Sequence, residues 1–469
     1  MAVTTSRKIT LTPEQLRTYN YLSLRNREFF DYIEDDMRYF DLSSFPSMNY
    51  IDGISNLSPW PMFMSRETRA EFSRVGCTMA AIMKDIPYKY LQGDPVRIAE
   101  YYQIAPEQAE MLLSCSHPAH VQDIILRGDY LLTDKGLMCI EMNGSASLGG
   151  IQLPFFEETI FENVLMKDCL GRLGQHMVNE NLFDLLFRHV LDCAMRNGSV
   201  SGELNIAILS EADKELYKKD FGRMNKRFVQ VQREMGLSNP NGTMFHVHNG
   251  DLKVKDDQLE YQEKRIVAII DWEANIPLAF WSLFRKKKLL IFNGHISHIV
   301  GSKLSLALLH EFAARGRFDE ETTDFIQKHI PWTYKIKQQK VSFKGTTGDL
   351  ETLMRMHKDE LVIKTPLQSS GEGVYIGKYK TVEEWSELVS AAMNAKDWIV
   401  QEALEPVPFI NISGDGYFSQ FNSVWGLFSF GEHYGGAFLR ILPERISESN
   451  GLVNLRQGAT IAVVCDTEL

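Results

Sequence analysis

Arg127-Gly-Asp129-Tyr-Leu-Leu-Thr133-Asp134-Lys135-Gly136-Leu-Met-Cys-Ile-Glu141-Met-Asn143 reads as two strands folded back on each other. Asp134-Lys135-Gly136 is a three-residue hairpin loop, a type I turn whose glycine takes the left-handed bulge position. That loop pairs Thr133 with Leu137, and counting outward sets Asp129 against Glu141 and Arg127 against Asn143. Alternation gathers these four polar side chains on one face and leaves Tyr130, Leu132, Met138, Ile140 and Met142 on a core face. Two directly opposed carboxylates repel unless something cationic lies between them. With the Asn143 carbonyl they form a hard-oxygen set suited to Mg²⁺, which takes few protein ligands plus substrate phosphates. Arg127, on the same face, is placed to stabilise charge on a transferring phosphoryl group. The plainer alternative is an exposed hairpin with a solvated polar face. The run Gly144-Ser-Ala-Ser-Leu-Gly149-Gly150 weighs against that alternative, since it lets backbone approach a ligand closely.

Before the hairpin the chain reads mainly as helix, with starts at Thr12-Pro13, Ser65-Arg66-Glu67 and Ala105-Pro106. Residues 157–196 return to helical spacing. Leu204 to Leu209 is a buried-type strand, and a polar helix and a second strand, Phe228 to Val231, are expected to follow it in a small parallel α/β unit. His246 to Asp271 reads as a hairpin feeding the apolar strand Ile266–Ile270. Residues 302–330 read as helix, and 360–465 as strands with one helix near 382–394. Four regions result: a mainly helical region 1–125, the hairpin and following helix 126–200, a small α/β substrate subdomain 201–295, and a nucleotide-binding region 296–469.

In that last region, Glu360-Leu-Val-Ile-Lys364 is a strand whose lysine sits among apolar residues, a costly position unless the charge is matched. Ser369-Ser370-Gly371-Glu372-Gly373 then makes a turn able to present N–H groups and hydroxyls to phosphates. It is not a P-loop, because the GxxxxGK spacing is absent. Trp398 to Leu404 resembles a strand running into a hinge where backbone groups and the pair Gln401 and Glu402 would hold adenine; as an isolated feature it is more often an ordinary strand end.

The 469 residues exceed one simple core, and 44% hydrophobic with 24% charged residues is ordinary for a globular chain. A net charge of −11 argues against broad nucleic-acid binding while leaving room for a local cationic pocket. Six cysteines without a CxxC pair read as reduced thiols of a cytoplasmic protein. No run approaches the roughly 18 apolar residues of a membrane span, so no membrane partner is expected.

Together these pieces resemble the ATP-grasp ligases, specifically the circularly permuted branch that includes glutathionylspermidine synthetase. That family carries an R-x-D…E-x-N set early in the chain, which stands here as Arg127, Asp129, Glu141 and Asn143. Its next element, a lysine opening a helix, is matched by Gly301-Ser302-Lys303, although the motif's asparagine is Ser302. The resemblance implies an α/β (α+β) ATP-grasp fold in permuted order, with an N-terminal helical region and an inserted substrate subdomain. It makes Lys303 and Lys364 the phosphate-binding lysines, and Ser369, Ser370, Gly371 and Gly373 the mobile glycine loop. Gln401, Glu402, Ala403 and Leu404 fall at the adenine hinge, and Arg440 in the C-terminal glycine-and-arginine segment. The implied cofactors are ATP and two Mg²⁺ on Asp129, Glu141 and Asn143. The implied reaction joins a small-molecule or peptide carboxylate to an amine through an acyl phosphate, with Arg127 meeting the developing charge. A non-catalytic nucleotide-binding scaffold and a small-molecule kinase are the competing readings.

Three further features have plainer explanations. His246-Val-His248 puts two imidazoles on one strand face but lacks a third ligand. The run Arg285 to Lys288 reads as a solvated surface, with steering of an anionic substrate as the alternative. Asp271-Trp272-Glu273, at a strand end, is a possible amine-binding position.

Overall fold

The computed structural model describes residues 57–467 apart from 59–60, 116–123, 163, 173–178, 199–202, 238–241, 273–274, 367–372, 413–417 and 448–450. The helix start expected at Thr12-Pro13 lies outside these residues. At Ser65 the expectation meets a capped helix, α1 (Arg66–Asp85), whose Thr68 N–H bonds the Ser65 hydroxyl at 3.2 Å. Phe72, Val75, Met79, Ile82 and Met83 recur every three or four residues and are buried, so one face of α1 packs against a sheet. Two shorter helices follow, α2 (Pro95–Tyr102) and α3 (Pro106–Cys115).

The hairpin forms as β1 (Ile125–Thr133) and β2 (Gly136–Asn143). Asp129 faces Glu141 and Arg127 faces Asn143, but the turn is one residue tighter than expected, pairing Thr133 with Gly136 and Leu132 with Leu137. A β-bulge between Tyr130–Cys139 and Asp129–Glu141 leaves Ile140 without a partner and restores the outer register. The bulge also corrects the face assignment. Leu137 and Cys139 join Tyr130 and Met142 in the core, whereas Met138 pairs with Leu131 on the opposite side.

Helix α4 (Leu182–Arg196) leads into a second layer, where β3 (Asn205–Leu209) is followed by α5 (Lys218–Glu234) and β4 (Met244–Val247). The strand expected at Phe228–Val231 is therefore the end of a helix. Phe221, Met224, Phe228 and Val231 form a buried stripe at helical spacing, and a four-residue apolar window hides that period. β5 (Lys264–Asp271) and β6 (Leu290–Phe292) complete a parallel core in the order β4-β3-β5-β6, extended by antiparallel strands at Gln258–Tyr261 and Lys253–Lys255.

Helix α6 (Lys303–Ala314) precedes a four-stranded antiparallel sheet of β7 (Thr333–Lys335), β8 (Leu361–Lys364), β9 (Val374–Ile376) and β10 (Ile399–Glu402), in the order β7-β10-β8-β9. Helix α7 (Val382–Asn394) covers it with a buried Trp385. The chain then returns to the hairpin. β11 (Phe418–Phe430) pairs with β1, β12 (His433–Pro443) with β11, and β13 (Thr460–Ala462) with β12. The central sheet is thus built from segments far apart in the described chain, and residues 296–469 contribute strands to four separate sheets. The fold is mixed α/β. No helix among the described residues is long and apolar enough to cross a membrane.

Candidate functional site

Four cationic side chains meet at the polar end of the hairpin. Asp129, 4% exposed, accepts from Arg127 Nε at 2.9 Å and Nη2 at 3.1 Å, and from Arg440 Nη2 at 2.6 Å. Burial alone would push its carboxyl up, but the Arg127 and Arg440 guanidinium groups outweigh that and hold it below the usual aspartate range. Arg127 also donates to the Gly149 carbonyl, so the glycine run expected to approach a ligand first packs against this arginine. Gly426, opposite Asp129 on β11, makes room: a Cβ there would sit 2.9 Å from Arg127 Cδ.

Glu141, on the same face, is partly open at 26% side-chain exposure and pairs with Lys303 Nζ at 3.0 Å. Lys303 is the first residue of α6, whose N-cap Ser302 hydroxyl accepts from Leu304 N–H at 3.3 Å. Two contacts fix this helix start, one to the end of β8 and one to the hairpin. Lys303 N–H bonds the Pro366 carbonyl at 3.3 Å, just beyond β8. Gly144 lies so close to the preceding turn that a Cβ would meet Val300 Cγ2 at 2.4 Å and Gly301 N at 2.7 Å. Only glycine permits that approach.

Lys364 ends β8 and is 6% exposed. Its ammonium donates to Gln401 Oε1 at 2.6 Å and to the Ile140 carbonyl at 2.9 Å, the backbone group of the residue the bulge leaves unpaired. Burial pushes Lys364 down to about 8, with Glu141 opposing and Lys303 reinforcing the shift. The expectation that its charge must be matched is met by two neutral oxygens and a nearby carboxylate.

In the segment expected to form the hinge, Gln401 is buried and its amide nitrogen donates to Thr333 Oγ1 at 3.0 Å. Glu402 lies near Lys135 at 3.4 Å and Lys344 at 3.8 Å. The N–H groups of Glu402 and Ala403 are taken by the Trp332 and Glu360 carbonyls at 2.8 and 2.7 Å. Leu404, half-buried, follows them. Gly373 sits at φ +67° and its carbonyl accepts from Thr365 N–H at 2.9 Å, while Ser369, Ser370 and Gly371 lie outside the described residues.

For a hard cation, Glu141 and Asn143 fit best. The Asn143 amide nitrogen donates to the Arg127 carbonyl at 3.2 Å, which leaves its side-chain oxygen as an acceptor beside the partly open Glu141. Asp129 has both oxygens on guanidinium groups. Among the described residues no group of three His, Cys, Asp or Glu is disposed to hold a metal, so a cation here would depend on ligand oxygens and water for most of its shell.

Sequence spacing missed Asn293, whose amide bridges the Ile125 carbonyl, at 2.6 Å, and the Gly144 carbonyl, tying β6 to both ends of the hairpin. His246 and His248 serve packing: His246 stacks on Phe221 with ring centroids 3.9 Å apart, and His248 Nε2 lies 3.0 Å from the Ala212 carbonyl. Lys286 of the basic run pairs with Asp257 at 2.7 Å. Trp272 packs 5.8 Å from Phe221, and Glu273 lies outside the described residues.

The architecture has a glutathione-synthetase-like fold. Its likeness is to a glutathione synthetase-like effector from Globodera pallida in its apo form, with a TM-score of 0.58 and 11% identity over 97% of this chain and 99% of that one. A protein described as a γ-glutamylcysteine synthetase from Methylobacillus flagellatus KT aligns over 83% of this chain and 87% of its own, at 9% identity and a TM-score of 0.39, too loose to carry an argument. No family model and no curated protein matches the chain.

Proposed function

We propose that this protein is an ATP-dependent carboxylate–amine ligase of the circularly permuted ATP-grasp kind. The observation that carries the reading is the convergence of Arg127, Arg440, Lys303 and Lys364 on one hairpin face that also bears Asp129, Glu141 and Asn143. Four cations around three oxygen-bearing side chains suit a polyphosphate carried with a divalent ion. A fold shared with a protein named for glutathione synthetase agrees with that reading.

In the proposed reaction a substrate carboxylate attacks the γ-phosphorus of ATP, the bond to the β-phosphate oxygen breaks, and an amine then displaces phosphate from the acyl phosphate. Lys303 and Lys364 hold the phosphate oxygens, and Arg127 and Arg440 meet the charge on the transferring group. Glu141 and Asn143 would hold Mg²⁺, with Asp129 joining them on release of a guanidinium contact, and the ion would supply charge neutralisation to the phosphoryl oxygens. Asp129 keeps the two arginines aimed in the absence of nucleotide, and gives up part of that contact as phosphate oxygens replace it. Residues 369–373 would close over the phosphates and exclude water. The parallel strands β4-β3-β5-β6 support a place for the acyl donor. Ligands of such sheets lie beyond the carboxyl ends of the strands, and the end of β6 is joined to Gly144 through Asn293.

The test incubates the protein with ATP, Mg²⁺, hydroxylamine and a panel of amino acids and peptides. Hydroxamate formed with equimolar ADP supports the ligase. A stable phosphorylated product, independent of any amine, identifies a kinase. The engagement of Asp129 by two guanidinium groups favours one second reading, a nucleotide-binding scaffold, which predicts ATP binding with no ADP release on any donor.

A further inference from the structure

We propose that a cavity between α2, α6 and the edge strand β7 binds a small organic anion, a phosphate or carboxylate head on a flat apolar body, separately from the Lys303–Lys364 site. The cavity is about 650 Å³, within the usual range of ligand pockets. Its charged lining is Arg97, Lys335, Lys337 and Lys396 with the acid Glu100; outside the lining Asp94 pairs with Arg97 at 3.3 Å and Glu311 with Lys337 at 3.6 Å, so the excess charge rests on Lys335 and Lys396. That local excess of cations opposes the chain's net charge of −11.

Lys335 is the key residue. It is 6% exposed, its ammonium donates to the Tyr101 carbonyl, and it lies 4.9 Å from the Tyr101 ring centroid. Among the described residues no carboxylate forms an ion pair with it. Glu311, the nearest candidate, is committed elsewhere: its oxygens pair with Arg315 at 3.7 Å and Lys337 at 3.6 Å, and accept the Lys335 backbone N–H at 3.1 Å. Burial pushes Lys335 down to about 8; Lys337 adds to the shift, and Glu311 and Asp397 oppose it. A buried ammonium with one neutral acceptor and spare N–H groups is costly until an anion reaches it.

The walls suit the body of such a ligand. Tyr90 and Phe312 line the cavity along with Tyr101, and rings of this kind accept a flat apolar group. Phe312 lies nine residues along α6 from Lys303, about 14 Å along the helix axis, so the two anion sites do not overlap.

Isothermal titration of the full chain with phenyl phosphate, phenylacetate and inorganic phosphate tests the proposal and tells the head groups apart. Saturable binding of at least one of the two ring-bearing anions, tighter than inorganic phosphate, is expected. Lys335→Met should weaken it roughly ten- to a hundredfold, and Lys364→Met should leave it unchanged. Arg97→Ala, at a side chain 54% exposed, should also weaken it and carries the test if Lys335→Met does not fold. Mass spectrometry after amine labelling near pH 8 should find Lys335 protected by the bound anion. Absence of binding by both ring-bearing anions, equal binding in the Lys335 and Arg97 variants, or loss of binding in Lys364→Met would overturn the proposal.

Discussion

Replacing Asp129 with asparagine removes one charge and leaves the shape nearly unchanged. The carboxylate accepts three guanidinium N–H bonds, at 2.9, 3.1 and 2.6 Å, from arginines whose side chains are 8% and 14% exposed. Asparagine keeps one acceptor oxygen and turns an amide toward two buried cations. Removing one partner of such a buried pair costs about 3–5 kcal/mol, which for a chain of 469 residues lowers Tm by roughly 3–5 °C. Differential scanning fluorimetry and urea unfolding of Asp129→Asn measure this directly. The loss should shrink in an Arg440→Met background, with a coupling of about 1–3 kcal/mol. The acid side gives an independent sign. Because the folded-state carboxyl is held below its ordinary value, its stabilisation is fully present above the unfolded aspartate pKa and fades as pH falls through the folded value. The variant should lack that acid-side loss. A Tm shift below about 2 °C, or an equal shift with and without Arg440, would refute the assignment of Asp129 as the anchor of both arginines.

Glu141→Gln should lower Mg²⁺-dependent ADP release by about 10²–10³-fold and cost less stability than Asp129→Asn, because Glu141 is partly open although its partner Lys303 is buried; steady-state kinetics and melting curves together check it. Lys364→Met should weaken ATP binding roughly ten- to a hundredfold, measured by titration calorimetry. With free Lys364 near 8, wild-type ATP affinity should be flat at lower pH and fall as pH rises through about 8, with proton uptake on binding above that point; calorimetry in buffers of different ionisation heat reads the uptake. Gly144→Ala places a methyl 2.4 Å from Val300 Cγ2 and 2.7 Å from Gly301 N, so it should cost about 1–3 kcal/mol and weaken ATP binding by displacing Lys303 from Glu141.

Local chemistry made much of the fold legible. The Ser65 cap, the pairing of Asp129 with Glu141 and the helix near 382–394 follow from side-chain period and terminal residues. Two readings failed for lack of length or of a neighbour. The window Phe228–Val231 is shorter than one helical stripe, and the bulge at Ile140 depends on how β1 meets both β2 and β11. Contacts across the site were less accessible still. Nothing in spacing puts Arg440 on Asp129, 311 positions away, or hands the Ile140 carbonyl to Lys364. Both are set by the packing of whole sheets. The sequence likeness supplied the two lysines as candidates; what orients them, the bond to Gln401 and the close packing of Gly144 on the turn before Lys303, is tertiary.

The central sheet also has a consequence for how the molecule is made. β1 leaves the ribosome long before β11 and β12, and Arg440 follows Asp129 by 311 positions. At about 5–20 residues per second the hairpin waits roughly 15–60 s for its neighbouring strand. During that interval one edge of β1 and the carboxylate of Asp129 lack their final partners, an invitation to wrong pairing. Nascent chains arrested before residue 418 should therefore bind chaperones more strongly than chains released after residue 443.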